Sequence, residues 1–167
     1  MILLERGGIM FGFKKKEYEV VAVTDGAIIE MEKVNDPVFA QKMLGDGFAI
    51  KTMSDYVYAP FDGEIVMTFP SKHAVGITAK DGLELLIHIG IGTVNEEGKG
   101  FSCEVEMGQQ VKKGDLLVQF NREELDAKGY DMTTVLVFTN PDTYKNFTIE
   151  KGKEVAGGQD IAAVYKK

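Results

Sequence analysis

The chain has 167 residues, 44% of them apolar and 27% charged, with a net charge of −7, the balance of one core-forming globular domain rather than a disordered chain. That acidic balance excludes the concentrated basic face that nucleic acid requires, and no apolar run approaches the ~20 residues of a membrane-spanning helix. The one cysteine, Cys103, excludes an internal disulfide, fits a reducing cytoplasm and, flanked by Glu104, reads as an inert thiol.

Residues 1–16 hold Arg6, Lys14, Lys15 and Lys16 against Glu5, a net of +3 that leaves −10 on the rest. They read as a flexible basic segment. Ile9-Met10-Phe11-Gly12-Phe13, just ahead of the lysines, also suits weak contact with an anionic membrane surface. Met1-Ile2-Leu3-Leu4 is too short for a secretory signal, and Met10 reads as an alternative start. From residue 17 onward, short β-branched or aromatic runs dominate, at 18–22, 63–67, 74–78, 83–89, 116–120 and 135–138. Asp25-Gly26, Asp62-Gly63, Asp81-Gly82, Lys113-Gly114-Asp115 and Gly157-Gly158 punctuate them as turns. Two helical pieces are predicted. One is capped by Asp36, opens at Pro37 and runs through Leu44 to Gly45; the other covers 122–128 and closes at Gly129. The pattern predicts an all-β chain, a compact antiparallel β-sandwich or barrel-sandwich hybrid with one or two short helices. Residues 17–167 form its single domain.

The pattern G-x-x-V-x-x-G-x-x-[LI] occurs twice, over residues 108–117 and 152–161, each a turn feeding a strand. Barrel-sandwich hybrids commonly carry it, lipoyl and biotinyl carriers included. Neither Met-Lys-Met nor Asp-Lys-Ala stands in this chain, so a cofactor carrier is set aside.

Only two histidines occur, His73 and His88, both in apolar strand-like runs. Alternation along 83–90 puts His88 on the face of Leu86 and Gly90, with Leu85, Ile87 and Ile89 opposite. A histidine so placed can be a hydrogen-bonded core residue. A neutral imidazole is also a good nucleophile near neutral pH, and a second one on a neighbouring strand could stabilise the charge of a transferred group.

Several blocks resemble the glucose-type IIA proteins of the bacterial phosphotransferase system: residues 36–50, Ala59-Pro60-Phe61-Asp62-Gly63-Glu64-Ile65, Lys72-His73-Ala74-Val75, and Gly82 through Val94 around His88. The likeness extends from about residue 17 to the end of the chain. It implies a phosphocarrier that takes a phosphoryl group from the histidine of HPr and passes it to the cysteine of a sugar permease's IIB domain. Position by position, His88 matches the phosphoryl acceptor and Gly90 the glycine whose carbonyl holds its Nδ1 proton. His73 matches the histidine that stabilises the phosphoryl oxygens, and Ser71 a hydroxyl, usually threonine, that orients it. Asp36, Val38, Phe39, Met43, Leu44, Phe69, Leu86 and Val94 match the partner-docking collar, while Gly92 departs from an aspartate common at its position.

No cofactor or metal is required, because the phosphohistidine donor is itself of high transfer potential. Two readings compete. In one, the chain is a regulatory binder of transporters or metabolic enzymes, and its two histidines are able to share an intermolecular zinc with a partner carboxylate. In the other it is a zinc metallopeptidase, for which His88-Ile89-Gly90 lacks the second histidine of a His-x-His pair.

Overall fold

The computed structural model describes residues 16–140 and 146–166. The basic segment expected over 1–16, with its membrane contact and alternative start, lies outside the described residues except for Lys16. The strands are β1 (Glu17–Val21), β2 (Gly26–Glu30), β3 (Gly47–Thr52), β4 (Tyr56–Tyr58), β5 (Gly63–Thr68), β6 (Ala74–Ala79) and β7 (Glu84–Ile91). Then come β8 (Phe101–Cys103), β9 (Gln110–Val111), β10 (Leu116–Phe120), β11 (Asp131–Phe138), β12 (Asn146–Ile149), β13 (Glu154–Val155) and β14 (Ile161–Lys166). An eight-stranded sheet in the order β13-β2-β3-β11-β7-β6-β5-β9 packs with two three-stranded sheets, β1-β14-β12 and β4-β10-β8. Every pairing is antiparallel, the arrangement in which alternating residues give a sheet one buried and one more open face. This is the all-β sandwich that the short strands and Gly/Asp turns predict. Among the described residues no helix is long and apolar enough to cross a membrane.

The inner face of the long sheet supplies Ile28, Ile50, Ile65, Ile77, Leu85, Ile87 and Leu136 to the main core, which Val57, Val118 and Ala163 of the smaller sheets close. On the outer face a second, smaller core forms from Met31, Val34, Phe39, Ala49, Val135 and Val137. Its lid is the connection between β2 and β3, which carries a 3-10 turn (Met31–Lys33) and the short helix α1 (Pro37–Ala40). Asp36 starts α1 as expected: its side chain accepts the Val38 N–H at 2.8 Å, and Pro37 occupies the first turn, where no N–H is missed. The predicted run to Leu44 does not form. Gln41 caps the helix and Lys42 turns left-handed at φ +59°, so Met43 and Leu44 lie in a loop. The second helix, α2 (Arg122–Ala127), is capped by Asn121 and ends before Gly129 at φ +97°, close to expectation.

The repeated glycine pattern marks a near-twofold relation across the whole long sheet. Its two copies form the edge strands, β13 beside β2 and β9 beside β5, in matching register: Val155 pairs with Gly26 and Val111 with Gly63. The hydrogen bonds repeat as well. Gly157 N–H donates to Asp25 Oδ1 at 2.7 Å, and Lys113 N–H to Asp62 Oδ1 at 2.8 Å. Ile28 N–H donates to the Lys153 carbonyl and Ile65 N–H to that of Gln109. Asp25-Gly26 and Asp62-Gly63 are therefore strand entries clamped by the opposite turn rather than hairpin tips. Ile28 faces Ile50 as Ile65 faces Ile77, and the central β7–β11 pair is its own mate about Ile87–Leu136. Under that relation Val135 corresponds to Leu86, Ala49 to Gly76, Ile29 to Met67, and Val137 to His88.

Candidate functional site

His88 projects from the centre of β7 onto the outer face, flanked by partly buried Leu86, while Leu85, Ile87 and Ile89 are buried on the inner face. Period-two alternation puts it there. His73 immediately precedes β6, beyond the left-handed Lys72 (φ +59°), whose N–H donates to the Phe69 carbonyl at 2.9 Å. That tight turn swings His73 back over β7, with its carbonyl accepting from Ile89 N–H at 2.7 Å. The two imidazoles meet edge to face, with ring centroids 4.8 Å apart and planes at 86°. Their proximity is long-range in sequence and comes from the β6–β7 register, in which Ala74 pairs with His88.

Each ring is held by different neighbours. Ser71 Oγ and His73 Nδ1 are hydrogen-bonded at 2.7 Å, and Phe69 packs on His73 with centroids 5.8 Å apart. The Phe39 ring meets His88 edge-on at 5.0 Å. His88 Nδ1 is buried and has no hydrogen bond of full geometry among the described residues. The adjacent Gly90 backbone nevertheless pulls the imidazole pKa upward, so that carbonyl acts on the ring from close range. Gly90 has φ +80°, and a Cβ there would lie 2.5 Å from Thr93 Cγ2, so only glycine fits.

Burial makes both rings neutral. His88 is pushed down to about 4, first by desolvation and then by His73, against weaker upward pulls from Gly90 and Asp36. His73 is lowered by burial. A pair of uncharged imidazoles at neutral pH offers an unprotonated nitrogen as nucleophile and an N–H as donor to incoming oxygens.

Val38 on α1, Met43 and Leu44 in the loop after it, and Val94 in the 3-10 turn that follows β7 are exposed by 39%, 67%, 50% and 49%, apolar side chains with few other reasons to face water. Phe69 and Leu86 are partly buried beside the histidines. Phe39 differs, being only 6% exposed within the small core, where its ring meets His88. Asp36 caps α1 and acts on His88 through charge. Gly92 is left-handed at φ +76° and opens the 3-10 turn Thr93–Glu96. Met67 lies on the same outer face, 48% exposed over Gly76, and Thr93 hydrogen-bonds the Ile89 carbonyl; the sequence reading missed both. Met67 hides behind a β-bulge between Ile65 and Met67 that breaks simple alternation.

Residues 18–144 match the family model described as phosphoenolpyruvate-dependent sugar phosphotransferase system, EIIA 1. The chain is 43% identical over 166 residues to a glucose-specific EIIA component of Halalkalibacterium halodurans, covering 94% of this chain and 96% of that one. It is 45% identical over 152 residues to a glucose-specific EIICBA component of Streptococcus pneumoniae, covering 91% of this chain but only 21% of that longer protein. Among solved structures, the glucose permease IIA of Mycoplasma capricolum superposes with a TM-score of 0.80 at 38% identity, covering 93% of this chain and 99% of that chain.

Proposed function

The chain belongs to the EIIA 1 family of the phosphoenolpyruvate-dependent sugar phosphotransferase system, and from that membership we propose that His88 is the residue on which it carries phosphate. It is a phosphocarrier of sugar transport. The observation that carries the assignment is the edge-to-face pair of neutral histidines, one central on an open sheet face and one at its margin.

In this reading Nδ1 of His88, buried beside the Gly90 carbonyl, keeps the ring proton, and Nε2 attacks phosphorus. The P–N bond to the HPr histidine breaks as the bond to His88 forms, and the HPr imidazole leaves neutral. His73 donates an N–H to the equatorial oxygens, where charge concentrates in a loose transition state. For that its Nδ1 must accept from Ser71, which fixes the tautomer. The second step reverses the geometry: a IIB cysteine thiolate takes the phosphoryl group, and His88 is regenerated. Both partners would use the same rim of Val38, Met43, Leu44, Val94, Leu86 and Phe69, with Asp36 facing basic partner residues. Residues 17–167 act as one IIA unit in the cytoplasm, where phospho-HPr is made. Among the described residues no group of three or more His, Cys, Asp or Glu is placed to hold a metal ion, so no observation favours the metallopeptidase reading.

The test is incubation with phosphoenolpyruvate, enzyme I and HPr, followed by intact mass and acid lability. One acid-labile phosphoryl group, absent in His88→Ala, is the expected result. No gain, with the upstream proteins active on another acceptor, would sink the assignment.

A further inference from the structure

The 3-10 turn Thr93–Glu96 lies directly behind the Gly90 carbonyl and has no side-chain cap of its own, because Gly92 stands at the capping position. A four-residue turn opened by a left-handed glycine is weakly determined by local interactions. It is held from the far end instead. Both oxygens of the Glu96 carboxylate are engaged: Oε1 accepts from Lys128 Nζ at 2.7 Å and Oε2 from Tyr130 O–H at 2.7 Å. The Glu96 side chain is only 14% exposed, whereas Lys128 is 45% exposed. Lys128 and Tyr130 flank Gly129 at the junction of α2 and β11, and the Tyr130 ring lies 4.0 Å from where a Cβ of Gly92 would stand. Thus the tyrosine covers the open side of the turn at its start and ties down its end.

What this turn carries bears on the nucleophile. Thr93 is fully buried, and its hydroxyl donates to the Ile89 carbonyl at 2.5 Å and lies 3.5 Å from the Gly90 carbonyl oxygen. Its methyl sits against Gly90 so closely that a Cβ there would clash at 2.5 Å. The Gly90 peptide is therefore wedged between Thr93 and Met132 Sδ, 3.1 Å from that Cβ position. A shift of the turn moves the peptide that faces the unpartnered His88 Nδ1.

We propose that Glu96, clamped by Lys128 and Tyr130, is a positioning residue for His88, fixing the 3-10 turn and through Thr93 the Gly90 carbonyl that selects the reactive tautomer. This rests on His88 being the phosphoryl acceptor. A carboxylate suits this place, since its two oxygens each take one donor, Lys128 and Tyr130, and its charge strengthens both bonds and matches the ammonium. The bond from Lys128, then that from Tyr130, hold the Glu96 carboxyl below the usual carboxylate range, so it stays ionised throughout neutral pH.

The experiment uses the full chain with Glu96→Gln, Tyr130→Phe and Lys128→Arg, each checked for an unchanged melting profile. Phospho-HPr is the donor in single-turnover transfer. Glu96→Gln is expected to lower the saturated transfer rate about tenfold, as for a misplaced catalytic group, with half-saturation by HPr unchanged. Tyr130→Phe should move it the same way by about threefold, keeping one of two bonds, and Lys128→Arg should behave as wild type. The unphosphorylated protein gives an independent readout: His88 imidazole 15N shifts should move from a single Nδ1–H tautomer toward a mixture in Glu96→Gln. A change confined to half-saturation, or wild-type rates with unmoved 15N shifts, would overturn the proposal. A wild-type protein that shows the single tautomer yet takes no phosphate on His88 would instead overturn the phosphocarrier assignment, leaving the positioning contact intact.

Discussion

The long sheet presents its outer face twice, once closed and once open. In the closed half, the connection from Met31 to Asp46 folds a 3-10 turn and α1 over Ile29, Ala49, Val135 and Val137, so that the last three are fully buried. In the open half, the connection from Phe69 to His73 is a tight turn without a helix whose Phe69 packs on His73, and the corresponding residues are Met67, Gly76, Leu86 and His88. The same register and the same Asp-clamped edge support both halves. What separates them is the length of one loop. A sheet face without its lid leaves apolar groups for a partner to cover, and covering them also excludes water from a phosphoryl group in transit. The closed half thus shows what the open half lacks and what, under the proposed function, a docked partner would supply.

The sharpest way to break the comparison is to make the halves alike. His88→Val places in the open half the residue type of its mate, Val137, and is expected to abolish phosphorylation outright while leaving the fold intact, read by intact mass and circular dichroism. The same variant tests the pKa. A histidine whose folded pKa lies below its unfolded value of ~6.5 contributes stability above that pH and loses it as pH falls through the folded value of about 4. From those two values the wild type should lose roughly 3 kcal/mol through His88 between pH 7 and 4. The valine variant should lose that much less in paired denaturant titrations. Equal losses in both proteins would mean that His88 titrates normally.

Opening the closed half comes next. Phe39→Ala removes the ring that fills the small core and abuts His88, and should cost about 3 kcal/mol in denaturant unfolding. Met67→Ala, at an exposed position of the open half, should change stability by less than about 0.5 kcal/mol. It should raise the HPr concentration needed for half-maximal transfer. If both variants destabilised equally, the open half would have to carry a lid as well.

His73→Gln addresses the second ring. The glutamine amide carries an N–H but does not hold it where the ring tied to Ser71 does, so the donor is lost from the transition state while phosphate should still be accepted from HPr. Onward transfer to a IIB cysteine should fall by about 10²-fold, the scale of one lost transition-state donor. Normal onward transfer would remove His73 from the mechanism.

Much of this was legible in the chain. Alternation alone put His88 opposite Leu85, Ile87 and Ile89, because a strand's period of two tolerates no ambiguity once one face is apolar. Asp36-Pro37 announced the start of α1 through local capping chemistry. Its end was not legible, since Lys42 adopts φ +59° while held by Glu32 at 3.1 Å and Asp46 at 3.4 Å, both of them contacts from outside the helix. The glycine repeat was visible, but its meaning was not. Matching Asp25 to Asp62 and Val137 to His88 depends on strand register, which no short window of sequence contains. For the same reason nothing in the chain singles out Glu96, whose partners Lys128 and Tyr130 lie more than thirty residues on and reach it only through the fold.

The smallest effect belongs to Ser71, and it sharpens the comparison at one corner. His73 directly precedes β6 as Asp46 directly precedes β3, and each is tied to a residue shortly upstream: Ser71 Oγ to His73 Nδ1 at 2.7 Å, and Lys42 Nζ to Asp46 Oδ1 at 3.4 Å. In the closed half the tie stiffens a lid; in the open half it aims a ring. Ser71→Ala therefore removes orientation without removing the donor. It forfeits one hydrogen bond of about 1 kcal/mol, or about fivefold in onward transfer, with acceptance from HPr unchanged. Ser71→Thr restores the hydroxyl and adds a methyl that restricts χ1, so its transfer rate should equal or exceed that of the wild type. Loss of activity in the threonine variant would show that the space around His73, rather than the hydroxyl bond, sets the ring's position.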